Sequence, residues 1–223
     1  MNLEIADESS RTGVPPVIII NLMLIIISII FAYLIGSMPT GLLFGRLLKG
    51  IDIREYGSGN IGATNVFRVV GKIPGIIVLI IDILKGFAPV AAIPHLVNVP
   101  ISKGLFSVLL GAAAISGHNW TIFSRFKGGK GVATGAGVFL ALNPIAVGIT
   151  LVLFFVLVAL TKYISLGSVC SAVILPVLLM LFKSPLEYTL FGLIMGLIVI
   201  WRHKENIKRL LQGTENKINF KKR

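Results

Sequence analysis

GSGNIGATNVFRVVGK (Gly57–Lys72) runs directly into IPGIIVLIIDILKGFAPVAAI (Ile73–Ile93). The second half is apolar apart from Asp82 and Lys85 and has the length of a membrane-spanning helix, about 20 residues. The first half is built from small and hydrogen-bonding residues. Gly57, Gly59 and Gly62 permit positive φ and close backbone approach, while Ser58, Asn60, Thr64 and Asn65 supply short polar groups. Arg68 and Lys72 are four residues apart and on one continuous helix would share a face. A segment of this kind at a membrane edge suits the lining of a site for an anion.

Working outward, apolar runs recur at Val17–Gly36, Gly104–Ser116, Val132–Leu142, Ile145–Leu160, Leu166–Phe182 and Leu186–Trp201. With Ile73–Ile93 they predict an all-α integral membrane protein of about seven spans, five or six being the alternative count. The first run can continue through Leu42–Phe44, loosened by Gly36, Pro39 and Gly41. Gly104–Ser116 and Val132–Leu142 are too short to cross an average bilayer upright, so they must extend into flanking segments or pack against protein. The chain reads as a polar tail over residues 1–16, a membrane domain over 17–215 and a basic tail over 216–223. No signal-peptide pattern precedes the first run.

Only 13% of the residues are charged, against roughly a quarter in soluble domains. The net charge of +12 raises nucleic acid as a partner, but the placement of the cations argues against it. With seven spans, the segments holding Arg46, Lys49, Arg54, Arg68, Lys72, Arg125, Lys127, Lys130, Lys162 and the basic C-terminal stretch fall on one side. The other side holds only Arg11, Lys103 and Lys183. By the positive-inside rule the first side is cytoplasmic and the N-terminus is outside. Cys170 is the single cysteine and lies in an apolar run, which excludes a disulfide framework and a thiolate metal cluster. No His/Cys/Asp/Glu spacing suits a metal, no nucleotide fingerprint is present, and no cofactor is expected.

The polar, glycine-rich segments all fall on the predicted cytoplasmic side. GHNWTIFSRFKGGKGVAT (Gly117–Thr134) combines Lys127 and Lys130 with Gly128, Gly129 and Gly131 just before a helical run, a pattern suited to phosphate. It lacks the spacing of a Walker A loop, and a basic interfacial loop explains the same residues. His118 is followed five residues later by Phe123, so a His-x4-Asp acyltransferase pattern is absent. KYISLGS (Lys162–Ser168) adds Ser165 and Ser168. WRHKENIKRLLQGTE (Trp201–Glu215) places His203, Asn206, Ile207 and Leu210 at helical steps beside Arg202 and Arg209; a basic helix on lipid headgroups accounts for its lysines but less well for His203 and Asn206. Glu215 is a structural partner for one of these cations. Asp82 and Lys85, at i and i+3, can pair and reduce a cost of about 2.5 to 3.5 kcal/mol each for an isolated charge mid-membrane, and a place on the substrate path is the alternative role.

GSGNIGATNVFR, GHNWTIFSRFKGGKGVAT and RHKENIKRLLQGTE, in this order and with apolar runs between them, resemble the three motifs of the bacterial acyl-phosphate–glycerol-3-phosphate acyltransferase family. The similarity spans about Ile29 to Glu215; Thr121 departs from it, many relatives having proline there. The resemblance implies seven spans with the motifs facing the cytoplasm of a bacterial inner membrane. It implies transfer of a fatty acyl group from acyl phosphate to the sn-1 hydroxyl of glycerol 3-phosphate, with no cofactor and no nucleic acid. A monomer among membrane lipids is expected. By motif, Ser58, His203 and Asn206 become catalytic residues. Thr64, Asn65, Arg68, Lys127, Gly128, Gly129, Lys130, Gly131 and Ser165 become substrate-binding residues, while Glu215, Asp82 and Lys85 stay structural. Ser58, Asn65 and the Gly128–Gly129 backbone are expected donors to acyl phosphate, and Arg68 and Lys127 clamps for glycerol 3-phosphate, ahead of Lys130. The base is either His203 or a substrate phosphate, and the phosphate is favoured. Ser58 as a covalent nucleophile, a transporter of organic phosphates and a basic scaffold on lipid headgroups are the competing readings.

Overall fold

The computed structural model describes residues 15–218. Most of the expected N-terminal tail and the last five residues lie outside this range. Among the described residues ten α-helices follow one another: α1 (Pro16–Ser37), α2 (Thr40–Lys49), α3 (Ala63–Val69), α4 (Lys72–Leu96), α5 (Lys103–Asn119), α6 (Val132–Leu142), α7 (Pro144–Thr161), α8 (Ile164–Leu181), α9 (Leu186–Arg202) and α10 (Lys204–Leu211). Every apolar run of the sequence becomes a helix, and the ends follow local chemistry. Pro16 and Pro144 occupy first helical positions, where the missing N–H has no partner to lose. Ser102 accepts from Leu105 N–H at 3.1 Å and Asn143 from Ala146 N–H at 2.9 Å, capping α5 and α7.

Helices of full spanning length do not by themselves make up the expected seven and fall in the alternative count of five or six. Among the described residues five stretches are long and apolar enough to cross a membrane, and six if α9 and α10 count together across their 60° bend. The physical reason is length: α6, with 11 residues, is about 16 Å long against a hydrocarbon core of about 30 Å. It shelters against α4 instead. A Cβ on Gly137 would overlap the Ile83 backbone, so the two helices touch main chain to main chain. Gly36 gives α1 the same close approach to Ala114 on α5. Small residues at such crossings are how helices gain contact where lipid offers no hydrophobic drive.

The centre of the bundle is a packed cluster that includes Phe106, Leu110, Val138, Phe139, Leu179 and Phe191. Apolar side chains cover the outside as well: Val17, Met23, Ile27 and Phe31 on α1, Val152 and Phe155 on α7, and Leu193 and Leu197 on α9 are all exposed. An apolar belt of this extent on the outside of an all-helical chain is a lipid-facing surface.

Two local breaks matter for the site. Arg68 and Lys72 do not share one helix, because Gly71, at φ 150°, separates α3 from α4. The first span ends at Met38–Pro39, and α2 starts afresh at Thr40. The carbonyl of Met38 freed by that break accepts from Lys85 Nζ at 3.0 Å. Lys85 also meets Asp82 at 2.8 Å, and the Thr40 hydroxyl donates to the same carboxylate oxygen at 2.6 Å. The predicted i, i+3 pair therefore forms, buried, and ties the α1–α2 joint to α4.

Candidate active site

The segment of residues 57–71, the loop 120–131, the α7–α8 joint and the chain after α9 converge on one cavity of about 720 Å³. Its wall includes Ser58, Thr64, Asn65, Arg68, Lys130, Gly131, Ser165, His203, Asn206 and Glu215, and apolar side chains make up much of the rest.

The 57–71 segment is held by Asn65, which is 2% exposed. Its Oδ1 accepts from Ser58 N–H at 2.9 Å, and its Nδ2 donates to the carbonyls of Ile53 and Tyr56 at 3.1 and 2.9 Å. With both ends of the amide in use, Asn65 shapes the loop rather than offering the donor expected of it. Ser58 is thereby fixed, exposed, at the rim. Thr64 and Arg68 lie on α3 and face the cavity. Arg68 donates through Nη2 to the Asn216 carbonyl at 3.0 Å, while its buried Nε has no partner among the described residues. Burial holds its guanidinium below the ordinary arginine range, with the charge of Glu215 opposing and that of Arg209 adding to the shift.

The loop 120–131 reverses twice, through positive φ at Arg125 and Phe126, and again at Gly131. The two lysines consequently part. Lys130 lines the cavity, whereas Lys127 is exposed and does not reach it. The N–H groups of Gly128 and Gly129, expected to face the substrate, donate instead to Asn119 O at 3.1 Å and His118 O at 3.0 Å. They fold the loop onto the end of α5. Gly129 must lack a side chain, since a Cβ would overlap the His118 ring. Arg202 completes this clamp: Nη2 donates to the carbonyls of Asn119 and Gly128 at 3.3 Å each and to that of Gly129, and the guanidinium lies 5.7 Å from the centre of the Trp120 ring. The Thr121 hydroxyl donates to Ser37 O and accepts from Phe123 N–H at 3.2 Å, anchoring the loop with bonds that proline could not make.

The third wall turns on Glu215. Its Oε1 accepts from Ser165 Oγ at 2.9 Å and Asn206 Nδ2 at 2.8 Å, and its Oε2 from Arg209 Nε at 2.7 Å. Burial alone would raise its carboxyl, but the donors Asn206, Arg209 and Ser165 outweigh it and hold Glu215 below the usual glutamate range. Asn206 Oδ1 in turn accepts from Lys130 Nζ. Asn206 is thus a link between the acidic centre and the lysine. Burial first, then the surrounding arginines, brings Lys130 down to about 8, against the opposing charge of Glu215. His203 sits at the α9–α10 bend with Nδ1 2.8 Å from Val199 O, so Nδ1 carries the proton and Nε2 is the accepting nitrogen. Burial, then the nearby Lys130 charge, pushes it down to about 4, and it is neutral at pH 7.

Sequence reasoning assigned no site role to four residues that stand here. Arg202 and Arg209 stood in the motif but carried no assigned role. Asn119, 1% exposed, lines the cavity with neither amide atom partnered among the described residues. His118, 6% exposed, lies beside it, its Nδ1 3.9 Å from Asp82. No signal in the chain distinguished Asn119 from a helix-end asparagine.

The family model described as glycerol-3-phosphate acyltransferase matches residues 26–213. Proteins named glycerol-3-phosphate acyltransferase are similar along almost their whole length. That of Desulforamulus reducens is 46% identical, covering 87% of this chain and 95% of the relative. That of Bacillus velezensis is 46% identical, covering 89% and 100%. Two crystal structures of PlsY (YgiH), an integral membrane glycerol 3-phosphate acyltransferase, resemble the fold. The glycerol 3-phosphate form has a TM-score of 0.81 at 36% identity, covering 87% of this chain and 96% of that one. The lysophosphatidic acid form has 0.78 at 35% identity, covering 87% and 95%. With the motif segments gathered on one cavity and the match running through all three, the chain belongs to the glycerol-3-phosphate acyltransferase family.

Proposed function

We propose that this protein transfers a fatty acyl group from acyl phosphate to the sn-1 hydroxyl of glycerol 3-phosphate, yielding lysophosphatidic acid and phosphate for phospholipid synthesis. The site faces the cytoplasm from a bacterial inner membrane, as the lysine and arginine distribution supports. The observation that carries this reading is the cavity wall: Arg68, Lys130 and Arg209 stand around the carboxylate of Glu215, and apolar side chains such as Leu79, Leu151, Phe154 and Leu175 line another part. A phosphorylated head and an acyl chain match those two parts. The names of the relatives and the two ligand forms of PlsY support the acceptor and the product.

An acyl phosphate is a mixed anhydride, so no covalent acyl-enzyme is required. The sn-1 oxygen attacks the carbonyl carbon, the bond from that carbon to the phosphate oxygen breaks, and phosphate departs with the electron pair. The hydroxyl proton passes to a phosphate oxygen. A phosphate with a second pKa of about 6 is a better acceptor than His203 at about 4. His203 Nε2 then orients the hydroxyl, Arg68 and Lys130 hold phosphate groups, and Ser58 donates to the reacting group at the rim. The protein's task is to align the reactants and to stabilise developing negative charge.

The test is purified protein with acyl phosphate and glycerol 3-phosphate, followed by phosphate release and lysophosphatidic acid formation. Absence of both products overturns the reading. An acyl group trapped on Ser58 and found by mass spectrometry would replace direct transfer by a covalent route. Loss of turnover in His203→Gln with both substrates bound normally would move the proton acceptor to His203.

A further inference from the structure

Asn119 closes α5 with its carbonyl engaged and its side-chain amide bare. The carbonyl accepts from Gly128 N–H at 3.1 Å and from Arg202 Nη2 at 3.3 Å, which fixes where the side chain starts. The residue is 1% exposed and lines the cavity, and neither Oδ1 nor Nδ2 has a partner among the described residues. Asn65, as deeply buried on the same wall, shows the contrast: its amide spends both ends on backbone groups of the chain. Gly131 explains how the Asn119 amide stays uncovered. A Cβ there would stand 2.8 Å from Oδ1 and 3.1 Å from Nδ2, so the loop passes the amide with backbone only, one residue after Lys130. Buried polar groups are almost always hydrogen-bonded, and an amide bare at both ends is costly. Its partner comes from outside the chain.

We infer that Asn119 reads the sn-2 hydroxyl of glycerol 3-phosphate and so sets the choice of acceptor. The inference rests on the acyl-transfer reading above and adds to it a specificity-determining residue. An amide offers donors on Nδ2 and an acceptor on Oδ1 side by side. Phosphate and carbonyl oxygens only accept, so either would leave Oδ1 unpaired, and a phosphate would set its charge against the Oδ1 dipole. A hydroxyl donates and accepts, and can pair with either end. Of the two hydroxyls of the acceptor, the sn-1 group gives its proton to phosphate during transfer, which leaves the sn-2 group for the amide. The cations favour the same assignment. With the phosphate of glycerol 3-phosphate on Arg68 and Lys130, its carbons follow within a few bonds, and Asn119 stands beside Gly131, the next residue after Lys130. A buried group that pairs with a hydroxyl discriminates strongly, because an acceptor without that hydroxyl leaves the amide unpaired.

The experiment compares kcat/KM of the full-length protein for glycerol 3-phosphate and for 3-hydroxypropyl phosphate, which differs only in lacking the sn-2 hydroxyl, at one fixed concentration of acyl phosphate. The unaltered protein should prefer glycerol 3-phosphate by about 10- to 100-fold. Asn119→Ala, and Asn119→Leu with an apolar side chain of similar size, should bring that preference below about threefold, the loss falling on glycerol 3-phosphate. Lys130→Ala should instead lower both acceptors together and keep the preference, since both carry the phosphate. Should Asn119→Ala fail to fold, Asn119→Leu carries the test alone; it should melt no lower in detergent than the unaltered protein, because the amide it replaces has no partner among the described residues. A preference that survives in the Asn119 variants overturns the assignment and leaves acyl transfer intact. So does an equal loss for both acceptors accompanied by a lower melting temperature, which assigns Asn119 to the fold, and so does an unaltered protein that uses both acceptors equally well. Inactivity of the unaltered protein with both acceptors overturns acyl transfer, and this inference with it.

Discussion

Two regions of this molecule bury charge, and they resolve it in opposite ways. At Asp82–Lys85 the charges balance: one carboxylate faces one ammonium, and Thr40 and the Met38 carbonyl occupy remaining bonding positions. In the cavity wall they do not. Arg68, Lys130 and Arg209 surround Glu215, and the two that form no ion pair among the described residues, Arg68 and Lys130, are held below their ordinary values chiefly by burial. A balanced buried pair belongs to the fold. An excess of one sign, maintained against desolvation, leaves electrostatic room for a bound anion of the other sign. The buried, unpartnered Nε of Arg68 and the amide of Asn119 point the same way.

This contrast can be broken by substitution. Asp82→Ala strands the Lys85 ammonium, so about 3–5 kcal/mol of stability should be lost, read as a large drop in melting temperature in detergent. The paired change Asp82→Leu with Lys85→Met should recover most of it. Failure to recover would mean that the pair does more than hold the α1–α2 joint. Arg68→Ala should leave melting nearly unchanged while kcat/KM falls by about 10²–10³-fold, as for loss of one transition-state donor. Instability equal to that of Asp82→Ala would erase the distinction between the two regions.

Lys130 offers a pH test with a definite sign. Its ammonium is present below about 8 and is lost above, so kcat/KM for glycerol 3-phosphate, which reports the free enzyme, should decline as pH rises through about 8. Lys130→Arg keeps the charge at those pH values and should move this limb beyond the measurable range. A limb that stays near 8 in the variant belongs to another group. The smallest effect is expected at Lys127, which is exposed and away from the cavity: Lys127→Ala should alter kcat/KM by less than about fivefold, the scale of an exposed charge contact.

Much of the bundle was legible because hydropathy accumulates along a continuous run. Val17–Gly36 was expected and Pro16–Ser37 is helical; Leu186–Trp201 was expected and Leu186–Arg202 is helical. The run Val132–Leu142 was read as too short to cross upright unless its flanks lengthened it or protein sheltered it; the helix stays at 11 residues and packs against α4. The site was legible as a set of segments, since Gly, Ser, Asn and Lys clusters interrupt apolar runs. Individual duties were less so. Lys127 and Lys130 are three residues apart in one glycine-rich loop, and nothing local says which turns inward. Asn65 and the Gly128–Gly129 amides looked like free donors because their partners, Ile53, Tyr56, His118 and Asn119, are chosen by how the chain folds back.

The sequence by itself determined a helical membrane protein with three polar motif segments and a buried i, i+3 ion pair, because each is written in contiguous residues at helical spacing. Only tertiary structure decided that Gly71 parts Arg68 from Lys72, and that Glu215 collects Ser165 from 50 residues away. It also decided that Lys130 rather than Lys127 reaches the cavity that GSGNIGATNVFRVVGK helps to line. Side-chain direction in a loop and the choice of a distant partner depend on packing among several helices, and no local pattern encodes either.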